Sequence, residues 1–180
     1  MPRHIGPAED DGFYLTDTST GRTKLFASIA ELIREADPPV EMGDPGDYEI
    51  YGFHSKFNPQ SNRLMLSLRW FPVQEQPVWN MFRVEHSAVR FAWIVTDLEG
   101  GNKHCAVGPE QWKKGGHHAT WFPNGQQISM NLNIDREGLR FVEVNADGTG
   151  LRKMLNDVPG SGHPTVYVDE KHLLTDTYTH

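Results

Sequence analysis

Three segments of this chain open on histidine and then follow one pattern. They are "HSKFNPQSNRLMLSLRW" from His54, "HATWFPNGQQISMNLNI" from His118 and "HPTVYVDEKHLLTDTYT" from His163. Three residues after each histidine comes an apolar residue: Phe57, Trp121 or Val166. A turn-forming patch and an alternating apolar run follow, which reads as strand, tight turn, strand. A second form alternates with the first: "FYLTDTSTGRTKL", "WIVTDLEGGNKH" and "FVEVNADGTGLRKM". Each is an apolar strand, an Asp or Asn, a glycine turn and a basic strand start. An internal repeat constrains the fold more than any composition does, because each unit must bury its faces on its neighbours.

The unit is therefore four short antiparallel strands. The histidines are spaced by 64 and then 45 residues (54 to 118, 118 to 163), the longer unit carrying an insertion at about Phe71 to Arg90. Four strands at a period near forty-five is the signature of β-propeller blades. The expected fold is all-β: about three blades' worth of four-stranded antiparallel blades in an incomplete ring, with one short helix. The pattern divides residues 1–180 into a half blade at 12–27, helix and linker at 28–49, a blade at 50–107, a blade at 116–157 and a half blade at 162–180. The helix is "SIAELIREAD", with Ser28 as cap, Glu31 as capping-box partner and Ile29, Leu32 and Ile33 as its apolar side. Closed propellers need about four to eight blades. Either the chain is a fragment of a larger propeller, or its open blade edges favour self-association by pairing half blades between chains.

Bulk properties exclude several classes. A formal net charge of −7 over 180 residues argues against nucleic-acid binding through a basic surface. No long uncharged apolar run is present, so no membrane partner is expected. The start "MPRHIGPAEDDG" lacks the apolar core of a signal peptide, so a chain natively starting at Met1 is expected in the cytoplasm. The single cysteine, Cys105, excludes an intramolecular disulfide and reads as a small buried hydrophobe.

The stretches "HATWFPNGQQISM", "NADGTGLRKML" and "GSGHPTVYVDEKHLLTDTY" resemble blades of TolB-like propellers, most closely the oligogalacturonate lyase-type branch. The resemblance covers most of the chain after about Gly12, and it is more specific for the propeller than for the enzyme. It implies β-elimination on short unsaturated galacturonides. It also implies a divalent metal, often manganese, held by histidines of successive blades, with a glutamine in the metal site and a further histidine or arginine for chemistry.

Blade geometry leads to the same residues. The first strand of a blade lines the axial channel, so His54, His118 and His163 would ring the channel mouth as metal ligands. Neutral imidazoles suit Mn, Fe, Ni or Zn, and three protein ligands with open positions is a catalytic pattern. Such an ion would acidify the proton α to a substrate carboxylate. His117 or Tyr178 would serve as base, and Arg69 or Arg136 would grip an anionic oligosaccharide, with Trp70 beside them. A second reading stands next to this one. Gly-His before an inner strand also serves propellers as a hydrogen-bonded tie between blades, and "GGHH" and "GSGH" fit that equally well. The corresponding functional alternative is a non-catalytic propeller that binds a protein or glycan on its funnel face. Asp97, Asn145 and Asp147 read as turn formers.

Overall fold

The structure is a computed structural model that describes residues 4–73, 89–113, 115–135 and 137–177. It is an all-β arrangement of antiparallel sheets with two short helices. Strands β1 (Gly12–Thr16) and β2 (Thr23–Ser28) form a hairpin that feeds helix α1 (Ile29–Glu35). Strands β3 (Tyr48–Phe57), β4 (Arg63–Pro72), β5 (Arg90–Asp97) and β6 (His104–Val107) form the first whole blade, hydrogen-bonded in that order. A second turn of helix, α2 (Pro109–Trp112), leads to β7 (Gly116–Trp121), β8 (Gln127–Leu132), β9 (Arg140–Asn145) and β10 (Arg152–Lys153), the second blade. Hairpin β11 (Thr165–Val166) and β12 (Leu173–Leu174) ends the described chain.

The repeat holds at the level of register. Gly52↔Leu68 in the first blade and Gly116↔Leu132 in the second are the same pair at an offset of 64 (52 to 116, 68 to 132). Just beyond that pair each inner strand bulges, between Gly52 and His54 and between His117 and Thr120. A bulge inserts a residue and re-aims the side chains beside it. Here those side chains include His54, His117 and His118, the last with φ +59.

Strand alternation gives the first blade two apolar faces. Leu64, Leu66 and Leu68 pack with Ile50, Ile94, Ile29 and Leu32, so hairpin β1–β2 and α1 cover one side. Met65, Trp93 and Val95 pack with Trp121, Ile128, Met130, Val142 and Val144 of the second blade. Hydrogen bonds cross the same seam: Lys56 Nζ donates to the Ala119 carbonyl at 2.5 Å, Trp121 Nε1 to the Lys56 carbonyl at 3.2 Å and Gln60 Nε2 to the Pro123 carbonyl at 2.8 Å. The far face of the second blade is more polar, with Ser129, Asn131 and Glu143 buried there beside Phe141. A cleft of about 520 Å³, lined by Phe141, Glu143, Val158, Val166 and Leu173 among others, separates this face from β11–β12.

Local chemistry explains the elements. Ser28 Oγ accepts from the Glu31 amide at 3.0 Å and caps α1. The Glu31 carboxylate does not complete the capping box: it joins Glu35 on the buried Lys103 ammonium, at 2.8 and 3.0 Å. The hairpin turns use Asx bonds, with Asp97 Oδ1 accepting from the Glu99 and Gly101 amides and Asp147 Oδ1 from the Thr149 amide. Cys105 is buried, and desolvation pushes its thiol up to about 12. No helix among the described residues is long and apolar enough to cross a membrane.

The repeat predicts Phe57, Trp121 and Val166 alike as core between blades, and one of them departs from that. Trp121 is 7% exposed and Val166 6%, but their repeat equivalent Phe57 is 53% exposed. Trp121 packs on the inner strand of the blade before it. No inner strand stands before β3 among the described residues, so Phe57 has nothing to cover it. Equivalent positions should then respond oppositely. In protein dilute enough to be monomeric, Trp121→Ala should cost about 3–5 kcal/mol, whereas Phe57→Ala should stay within about 0.5 kcal/mol. Urea unfolding of both variants checks the contrast.

Candidate functional site

The sequence-derived residues fall into two groups. His117 and His118 enter from the bulge of β7, with ring centroids 4.3 Å apart. His163 precedes β11 and brings its ring centroid to 3.8 Å from that of His118. Asp176, just past β12, fixes His163: its carboxylate lies 3.1 Å from Nδ1 through both oxygens, and Oδ1 also accepts from the His163 amide. The "GGHH" and "GSGH" corners therefore meet across the seam between the second blade and the terminal hairpin.

Asn131 stitches this group together from below. Its Nδ2 donates to the Gly162 carbonyl at 2.8 Å and faces His117 Nδ1 at 3.3 Å. The glycines permit the close approach. A Cβ on Gly160 would fall 2.7 Å from Asn131 Oδ1, and one on Gly162 would overlap Asp176. Gly162 also takes φ +62.

His54 belongs to the first blade. Its ring lies 3.9 Å from that of Phe53 and stacks on Trp93 at 6.5 Å. Arg69 projects nearby, its guanidinium carbon 5.0, 5.1 and 5.9 Å from the ring centres of Phe53, Phe91 and Tyr51. Aromatic faces hold a cation electrostatically. No carboxylate among the described residues lies within ion-pair distance of Arg69. Lys56 links the two groups, because its charge bears on both His54 and His118.

The electrostatics favour neutral imidazoles. Burial, then the charges of His117 and His163, pushes His118 down to about 4. Burial and then His163 lower His117, while burial, Lys56 and Arg69 lower His54. Burial also draws Lys56 towards its neutral amine. Hydrogen bonds from the His163 amide and ring hold Asp176 below the usual carboxylate range. A carboxylate on Nδ1 puts the His163 proton there and its lone pair on Nε2, the arrangement common in histidine metal ligands. The donor chemistry of His118 and His163 thus suits a first-row divalent ion. No three His, Cys, Asp or Glu side chains among the described residues are already gathered as an ion site.

The other expected residues are placed differently. Trp70 is 1% exposed inside the first core, so its indole packs against protein and offers no surface to a sugar. Arg136 and Tyr178 lie outside the described residues. Sequence reasoning missed Lys56 and Asn131. The available signal for Asn131 was its place in "ISMNL", as a polar residue on the second strand of its blade at the repeat position of Ser67.

Stability should track the histidines. A group with a folded pKa below its unfolded value near 6.5 is neutral in both states at high pH. Below about 6.5 only the unfolded chain takes up the proton, so stability falls with pH until His118 protonates at about 4. Chelator-treated protein should lose stability across that window, and His118→Gln should flatten the loss, as read by denaturation midpoints at stepped pH. The chain matches no protein-family profile and no curated protein.

Proposed function

We propose that the chain carries the funnel-side site of a TolB-like propeller of the oligogalacturonate lyase type, acting by β-elimination on anionic oligosaccharides. The observation that carries this reading is the contact of His118 with His163, the latter braced by Asp176. His118 and His163 would hold the divalent ion, manganese foremost with Fe, Ni or Zn as substitutes, and His54 would approach from the neighbouring blade. Bound there, the ion would act as a Lewis acid on a substrate carboxylate.

The chain's own residues supply the rest. Arg69 and Lys56 would attract the anionic sugar. β-Elimination needs a base for the proton α to the carboxylate and an acid for the leaving oxygen. His117, its imidazole kept neutral by burial, suits the base. The Lys56 ammonium, its pKa lowered by burial, suits the acid.

A second reading has its own support. The bond from Asn131 to the Gly162 carbonyl and the crowding at Gly160 and Gly162 fit histidines that tie blades together in a non-catalytic scaffold. Metal decides between the two. Elemental analysis should find close to one Mn, Fe, Ni or Zn per chain, lost in both His118→Ala and His163→Ala while the fold survives. Lys56→Met should keep the metal and lower turnover of unsaturated galacturonides by about 10²-fold or more. Metal-free parent protein, with both histidine variants merely less stable, would leave the scaffold.

A further inference from the structure

The two terminal hairpins are opposite halves of one blade. Hairpin β1–β2 repeats β5–β6 at an offset of 80 (13 to 93, 27 to 107). Phe13↔Ala27, Tyr14↔Leu25 and Leu15↔Lys24 match Trp93↔Val107, Ile94↔Cys105 and Val95↔His104, and both ladders slip at the same step. It is an outer half. Hairpin β11–β12 repeats β7–β8 at an offset of 45 (166 to 121, 173 to 128), with Val166↔Leu173 matching Trp121↔Ile128. It is an inner half. In a whole blade, the second strand of the inner half pairs with the first strand of the outer half, as β4 pairs with β5. Among the described residues, no strand pairs with β12 or with β1 on that side.

We propose that a second copy of this chain fills each edge, with β12 of one copy pairing antiparallel to β1 of the other. This proposal rests on strand register and stands apart from the metal site. The registers of Arg63↔Asp97 and Gln127↔Asn145 carry over directly. They set His172 across from Asp17, Leu173 from Thr16, Leu174 from Leu15 and Thr175 from Tyr14. The residues that meet are exposed: Leu174 is 75% exposed, Tyr14 53% and Leu15 38%. Charge favours unlike halves. Residues 12–28 carry Arg22 and Lys24 against Asp17, whereas residues 163–177 carry Asp169, Glu170 and Asp176 against Lys171. An unpaired strand edge is a template for another strand, and reciprocal pairing removes it.

The pairing also closes the ring. Each copy holds two whole blades, so two copies joined at both edges hold four whole and two composite blades. Six blades fall within the range of about four to eight for a closed propeller. The contact is reciprocal about a two-fold axis, which stops growth at the dimer.

Sedimentation equilibrium over a concentration series should report a dimer. Leu174→Lys, at a surface position, should raise its dissociation constant by about tenfold or more, with the circular dichroism of the monomer unchanged. Leu15→Cys combined with Leu174→Cys should give a covalent dimer on oxidation, and Tyr14→Cys with Leu174→Cys should not, the buried Cys105 staying unreacted. A monomer at every concentration overturns the proposal. So does a mass that climbs without limit, or a dimer that ignores Leu174→Lys and cross-links equally in both registers.

Discussion

A four-stranded sheet with two apolar faces cannot stand alone in water, and everything else in this chain follows from that constraint. The first blade meets it twice over, with hairpin β1–β2 and α1 on one side and the second blade on the other. Each large side chain buried in those seams contributes roughly 1.5–3 kcal/mol. Stacking fixes how close the inner strands come, and the bonds between Lys56 and the β7 backbone and between Trp121 and the Lys56 carbonyl mark that closeness. The bulge in each inner strand then turns its histidines towards the seam.

The second seam is built from different material. Its blade face is polar, and Asn131 rather than an aromatic ring bridges to the terminal hairpin. Three imidazoles crowd there beside one carboxylate. Crowding and burial keep His118 neutral, while Asp176 orients His163. Neutral, oriented imidazoles are what a divalent ion requires, and Lys56 and Arg69 add the positive charge that an anionic ligand would meet.

Strand pattern, turn chemistry and repeat period were legible because they are local: alternation marks the strands, and Asp97 and Asp147 mark the turns. The helix cap at Ser28 was legible for the same reason. What escaped depends on neighbours. Phe57 and Trp121 share a repeat position, yet only the latter has an inner strand before it. Trp70 sits beside Arg69, and one residue of strand alternation sends it into the core while Arg69 lies among partly exposed aromatics. Lys56 and Asn131 have no motif of their own, and their roles appear only when two blades are placed side by side. Helix α2 is four residues long, too short for any periodicity, although Gly108-Pro109 could have marked its start.

The histidine site is tested most directly by substoichiometric Mn²⁺ added to protein with ¹⁵N-labelled imidazoles, read by long-range ¹⁵N–¹H spectra. The account predicts that the His118 and His163 signals broaden first and together, while those of His4, His104 and His172 persist. Broadening that ranks all the histidines by exposure alone would contradict it.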